Sequence, residues 1–296
     1  MNEYQLVSDY KHIEKYKESF NELAKTIFEI DFKKWYKKGC WNDNYICYSF
    51  IDGDKVIANT SINKMTVVSN GKEYKAIQVG TVMTHPDYRN QGLSGKLMHY
   101  IIDKYEKECD FIYLFANETV LEFYPKFGFE KLQESRFYLK VTDLKKQPIH
   151  SGTVRALDTE NPTDFEMIEK FARERLPVSS ILGVKNNEHL LMFYSIVAFN
   201  DAIYYIEEED VIVICKQENA QLHIFDIISN KRVEIDSILN RMISAETKTI
   251  RFYFTPDFKR NNIHTELITE SDDTLFVRPL LKDLPKHFLF PLTSHS

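Results

Sequence analysis

Cysteine, excess basic charge and long apolar runs are all scarce in this chain, and each scarcity narrows what it does. The four cysteines, Cys40, Cys47, Cys109 and Cys215, form no CxxC pair and no Cys/His group with zinc-ligand spacing. That argues against a structural zinc or a redox motif, so no metal is expected and the thiols read as reduced core residues of a cytosolic protein. Lys and Arg number 38 against 44 Asp and Glu, a net charge of -6. Such a balance lacks the basic footprint of a nucleic-acid binder and is that of an ordinary surface. The longest apolar run, LLMFYSIVAF over residues 190–199, is too short to span a bilayer. The opening residues carry no apolar signal-peptide run. The expectation is a soluble cytoplasmic protein with neither nucleic-acid nor membrane partners; oligomeric state is not encoded.

What is present is material for two cores. Hydrophobic residues make up 43% and aromatic residues 14% of 296 positions, and ~150 residues per domain suggests two domains. A short strand, YQLVS, precedes a helix with Ile13, Tyr16, Phe20, Leu23, Ile27 and Phe28 at helical spacing. NYICYSFID and KVIANTSINKMTVV flank Asp52-Gly53-Asp54, a hairpin signature. A third strand, KAIQVGTVMT, enters the loop THPDYRNQGLSGKL, after which Leu93, Leu97, Met98, Ile101, Ile102 and Tyr105 form one helical face. FIYLFAN is a buried strand, ETVLEFYPKFGF a short helix and turn, and RFYLKV a strand. The polar stretch around residues 141–153 sets a boundary between domains 1–145 and 146–296. Beyond it, Thr163 and Glu166 predict a capping-box helix to about Leu176. Then AIYYI, VIVICKQ, QLHIFDIIS, the helix EIDSILNRMI, TIRFYFT and TLFVRP repeat the order strand, strand, strand, helix, strand, strand. The helix of this second half is preceded by SNKRVE, with no glycine.

The glycine loop of the first half invites a phosphate. Backbone N–H groups at a helix start have no internal acceptor, and the helix dipole adds positive charge. Gly92 and Gly95 permit close backbone approach, and Arg89 adds a permanent cation. Neither GxxxxGK[ST] nor GxGxxG is present. On the loop alone, ordinary glycine punctuation and a phosphate site are equally good readings.

Arg89-Asn90-Gln91-Gly92-Leu93-Ser94 resembles the Arg/Gln-x-x-Gly-x-Gly/Ala loop of the GNAT acyl-CoA N-acetyltransferases, with Ser94 in place of the last small residue. NETVLEFYPKFGF, further along, resembles the family's Asn-x(6)-Tyr-x-Lys-x-Gly-Phe element, with Pro125 as a departure that should keep that helix short or kinked. The likeness covers roughly residues 1–140. GTVMTHPDYRNQGLS is most similar to the enhanced-intracellular-survival type, whose members add a degenerate GNAT-like domain; the chain reads as too short for their third domain. The resemblance implies a mixed α+β GNAT fold, in tandem with a degenerate C-terminal copy.

It also implies acetyl-CoA as co-substrate and transfer of acetyl to a small-molecule or peptide amine by direct attack in a ternary complex. The pyrophosphate would sit on Arg89, Asn90, Gln91, Gly92, Leu93, Ser94 and Gly95, and the pantetheine along Val82, Met83, Thr84 and Asn117. A backbone N–H on that strand would polarise the thioester. Tyr124 would protonate the leaving thiolate; as a residue type it is equally suited to a core. His85 would only enter the turn before Pro86. Many family members carry a glutamate base where this chain has Gly80, so proton loss would pass through water or through the terminal carboxylate of Ser296. The alternatives are a non-catalytic acyl-CoA-binding regulatory module, in keeping with the missing glutamate, and a scaffold. The acidic Glu207–Asp210 turn and Glu270, Asp272 and Asp273 read as solvated turns or as the edge of a cleft for a cation.

Overall fold

The computed structural model describes residues 4–145, 153–258, 262–269, 272–281 and 283–296. In the first half β1 (Gln5–Ser8), α1 (Glu14–Phe28), α2 (Lys33–Lys37), β2 (Tyr45–Asp52), β3 (Lys55–Ser69) and β4 (Lys72–Thr84) come first. α3 (Leu93–Tyr105), β5 (Phe111–Asn117), β6 (Glu130–Leu132) and β7 (Ser135–Lys140) follow. The second half begins with β8 (Val154–Ala156), α4 (Pro162–Glu174), β9 (Leu182–Lys185), α5 (Glu188–Phe193) and β10 (Ile203–Ile206). It continues with β11 (Val211–Glu218), β12 (Gln221–Ile228), α6 (Ile235–Met242), β13 (Thr249–Phe252), β14 (His264–Leu267) and β15 (Asp273–Arg278).

The two halves use the same local plan. In the first, β3 and β4 are antiparallel, α3 crosses over, and β5 returns parallel to β4. In the second, β11 and β12 are antiparallel, α6 crosses over, and β13 returns parallel to β12. Each crossover helix buries the apolar face that its sequence offers. Leu97, Met98 and Ile101 pack on Val79, Ile112 and Leu114; Ile238 and Leu239 pack with Val213, Ile224 and Ile250. A third core belongs to both halves, joining Phe20 and Trp35 to Leu191, Met192, Ile203 and Ile212.

Sheet membership does not follow the expected boundary at 145/146, which itself adjoins residues outside the described set. One sheet runs β1-β2-β3-β4-β5-β15-β6, with β9 on β3, and the other β14-β7-β13-β12-β11-β10-β8. Thus β7 leaves the first half to lie between β13 and β14, and β15 leaves the second to lie between β5 and β6. Local pattern encodes a strand but not its partner, which is why the sequence placed both in their own halves. One smaller expectation also changes. The cap of α4 is Asn161, whose Oδ1 accepts from the backbone N–H groups of Thr163 and Asp164, with Pro162 at the first helical position. The apolar run 190–199 is the end of α5 followed by a π-helical turn, Tyr194–Ala198. No helix among the described residues is long and apolar enough to cross a membrane. Burial pushes the thiols of Cys40, Cys47 and Cys215 up to about 12.

The last residues thread between the sheets. Ser135 N–H donates to Phe288 O (2.7 Å), Thr255 N–H to Leu289 O (3.1 Å) and Leu292 N–H to Tyr253 O (3.0 Å). Thr293 Oγ1 donates to Asp226, a fully buried carboxylate that Arg175 also holds through two bonds of 2.7 Å. Phe290 N–H donates to Glu134 Oε1 at 2.8 Å. Burial raises the Glu134 carboxyl to about 8.

Expressed alone, residues 1–145 lack the strand shared by β5 and β6, so they should aggregate or lack a cooperative melt. Co-expression with 146–296 should restore a soluble complex; a fragment 1–145 that melts cooperatively as a monomer would disprove the dependence. The raised Glu134 carboxyl makes a second expectation. Between pH ~4.3 and about 8 the unfolded chain releases this proton while the folded chain keeps it, so stability falls as pH rises through that window. Glu134→Gln should therefore be more stable than the parent at pH 8, by roughly 2–4 kcal/mol, and nearly equal to it at pH 4.5. Urea melts at the two pH values measure the difference.

Candidate active site

β4 and β5 pair from Ala76 and Phe111 only as far as Val79 and Leu114. Past that point they part, and the gap opens into a cavity of about 770 Å³, within the range of small-molecule sites. The parting coincides with a bulge in β4, where the register against β3 shifts between Asn59 and Ser61. Thr81 sits there at φ 48°, a conformation that a β-branched residue rarely adopts. Asn59 Nδ2 donates to Thr81 O (2.8 Å), and Thr81 Oγ1 shares a hydrogen bond with Tyr45 Oη (2.9 Å). A buried chain, Tyr10 to Ser49 to Asn59, fixes that amide in turn. Bulges of this kind re-aim strand ends beside sites. Val82, Met83 and Thr84 line the cavity beyond it.

The glycine loop closes one end. Asn90 and Gly92 adopt φ 61° and 74°, turning the chain into α3. A Cβ on Gly92 would meet nothing within 4 Å, and one on Gly95 only Phe127 at 3.8 Å. No protein packing therefore requires either residue to lack a side chain, while the outer face of the loop stays clear for a ligand. Ser94 Oγ and Thr84 Oγ1 share a 2.7 Å hydrogen bond, so the departure from Gly/Ala ties loop to strand. Arg89 and Ser94 line the cavity; the side chains of Asn90 and Gln91 are exposed outside it. Leu93, the first residue of α3, has a buried side chain, so it offers a ligand only its backbone N–H. His85 caps the turn Pro86–Tyr88 by accepting from Asp87 N–H (3.3 Å).

Asn117 and Tyr124 line the same cavity. Asn117 ends β5, and its Oδ1 accepts from Thr119 N–H at 3.1 Å, capping a 3-10 turn at Glu118–Val120. The helix expected over this stretch is two 3-10 turns, the second at Tyr124–Phe127 with Pro125 inside its start, as the proline required. Tyr124 packs against Phe123, Phe129 and Phe276. Its burial pushes the phenol up to about 12.

Ser296 also lines the cavity, against Gly80. A Cβ at Gly80 would fall 2.2 Å from Ser296 Oγ, 2.6 Å from its Cβ and 3.0 Å from its backbone C. Any side chain at 80 would force Ser296 to shift, so a glutamate there and this placement of Ser296 exclude each other. Gln78 Nε2 donates to Ser294 O (2.9 Å), and the His295 ring stacks on Phe115 with centroids 3.6 Å apart. Burial pushes His295 down to about 3, so its ring is neutral at physiological pH. No local sequence signal pointed to the remaining wall. It is built from Phe28, Phe32 and Trp35 of one stretch, Phe193 and Tyr194 of a second far along the chain, and Asp273 on the exchanged strand β15. Glu270 lies outside the described residues.

Residues 11–132 match the family model described as "Acetyltransferase (GNAT) domain". Over 78 residues the chain is 31% identical to N-alpha-acetyltransferase 50 of Danio rerio, a stretch covering 25% of this chain and 46% of that protein. The chain thus spans under half the length of that curated relative. Among solved structures, a probable N-acyltransferase from Enterococcus faecalis V583 superposes with a TM-score of 0.58 at 16% identity, over 94% of this chain and 72% of that one. Eis1 from Mycobacterium abscessus gives 0.58 at 12% identity, over 93% and 73%. The GCN5-related N-acetyltransferase of Kribbella flavida gives 0.57 at 14%, over 93% and 71%. At such identities the likeness is one of fold, and it runs through both halves.

The Gly80–Ser296 contact is directly testable. Gly80→Ala should displace the tail and make the last residues more susceptible to carboxypeptidase, with the overall melt little changed. Equal susceptibility of variant and parent would mean that the tail does not depend on this contact.

Proposed function

Starting from a GNAT acetyltransferase domain over residues 11–132, we propose that the protein transfers an acetyl group from acetyl-CoA to a primary amine in a ternary complex. The observation that carries this reading is the cavity where β4 and β5 part. Arg89 and the α3 start lie at one end of it, Tyr124 in its wall, and Ser296 against Gly80. The pieces needed for acyl transfer thus face one space.

Acetyl-CoA supplies an activated thioester. The α3 start fits its pyrophosphate: backbone N–H groups lack intrahelical acceptors there, the dipole is positive, and Arg89 adds charge. Val82, Met83 and Thr84 on one strand, and Asn117 on the other, border the gap that would take the pantetheine. Tyr124 acts as general acid toward the departing sulfur. With its phenol held up to about 12, it keeps that proton at every physiological pH. An alkylammonium has a pKa of ~10.4 and must lose a proton before it attacks. In this reading the proton passes to water or to the Ser296 carboxylate, whose residue lines the cavity with its side chain in the space that a side chain at position 80 would need.

The test is release of free CoA thiol with a panel of amines. Release that depends on an amine supports transfer; acetyl-CoA binding without release for any amine would instead favour a non-catalytic acyl-CoA-binding module. Tyr124→Phe should lower kcat by about 10²-fold and leave acetyl-CoA affinity within a factor of about three. Removing His295 and Ser296 should likewise impair turnover but not acetyl-CoA binding. In the parent, kcat/KM should rise with pH as the amine deprotonates and show no decline below pH ~10, since Tyr124 stays protonated. A falling limb near neutrality that Tyr124→Phe leaves in place would refute its role.

A further inference from the structure

Part of the cavity wall is a box of aromatic rings. Phe32 and Phe193 have centroids 5.1 Å apart, Phe32 and Trp35 5.9 Å, Trp35 and Phe193 6.3 Å, and Phe193 and Tyr194 5.9 Å. Phe28 at the end of α1 adds another ring to the lining. The rings come from both halves of the chain. Tyr194 opens the π-helical turn, in which Phe199 N–H donates to Tyr194 O at 2.8 Å. Such turns are rare and concentrate at functional sites; here it sets adjacent rings, Phe193 and Tyr194, on the cavity wall.

Charge in this space is sparse. Asp273 is the one Asp or Glu among the described residues that line it. It starts β15 directly across from Asn117. Burial, and secondarily Asp272, push its carboxyl above the ordinary range. A cavity built for a polycation would need several carboxylates, because each buried ammonium without a partner carries a large desolvation cost. One side-chain carboxylate beside a box of rings, with the Ser296 carboxylate reserved in the proposed mechanism for the amine's proton, instead suits one ammonium on an apolar body, through an ion pair and cation–π attraction.

We infer that the acceptor is a monocationic primary amine with an aromatic or bulky apolar body, its rings contacting Phe32, Trp35, Phe193 and Tyr194 and its ammonium steered by Asp273. This rests on the acetyltransferase reading for what happens to the amine, but the binding preference is a property of the cavity alone. Selectivity then follows from desolvation: a second or third charge on the ligand would have to be stripped of water against rings.

Calorimetric titration of the full chain, with saturating CoA, compares 2-phenylethylamine with hexylamine and spermidine. The expected order is 2-phenylethylamine tightest, with spermidine at least tenfold weaker. Asp273→Asn and Phe193→Leu should each weaken 2-phenylethylamine about tenfold and leave CoA affinity unchanged. Spermidine binding as tightly as 2-phenylethylamine, or no saturable binding of 2-phenylethylamine to the parent protein, would overturn the inference, and neither result depends on a variant folding. Thiol release with the same amines reports on transfer separately. Aromatic-amine binding without release would refute the transfer chemistry and keep the subsite; release with spermidine alone would do the reverse.

Discussion

The exchange of last strands between the two halves is the constraint on which the rest of this structure depends. β5 and β6 of the first sheet do not pair with each other; both pair with β15, which the second half supplies. β13 and β14 of the second sheet likewise pair with β7 from the first. An open sheet edge exposes unpaired backbone donors and acceptors, so neither sheet is complete without the other half. The shared aromatic and aliphatic core between the halves is then buried on both sides. The exchange also shapes the cavity, because Asp273 enters its wall as the first residue of the exchanged strand.

The path of the C-terminal residues follows from the same arrangement. They run between the sheets under backbone pairing to Ser135, Thr255 and Tyr253. The Arg175–Asp226 ion pair then grips Thr293. A buried pair of this kind adds little net stability, yet losing one partner is costly, about 3–5 kcal/mol. Its value is positional: it holds the tail so that Ser296 meets Gly80. A glycine at that position removes the side chain that would collide, and leaves the cavity floor to the tail.

Electrostatics divide the cavity into two ends. The loop end has Arg89 and the N-terminus of α3, which suit anionic groups. The rest of the wall has rings and the Asp273 carboxylate, which suit an apolar cation. Between them the walls are mostly uncharged, and His295, held neutral by burial, adds no charge. The two ends would thus sort their ligands before any chemistry begins.

Much of the first half was legible in sequence because its signals are local. FIYLFAN is β5 residue for residue, Gly92 ends the loop, and α3 buries the face that its spacing marks. Pro125 foretold the broken helix around Tyr124, since a proline lacks the N–H that a longer helix needs. The repeat of strand and helix order was also readable, because hydrophobic period carries element type. By contrast, RFYLKV and TLFVRP read as strands but not as exchanged ones. The aromatic box was hidden because its rings sit in segments that meet only in three dimensions. Gly80 read as a lost base until Ser296 was found in the space above it. The sequence alone determined most of the longer strands and helices, and where a glycine loop enters α3, since each depends on neighbours a few residues apart. Only the tertiary structure decided which strand completes which sheet and what lines the cavity, since pairing and enclosure depend on residues brought together from across the whole chain.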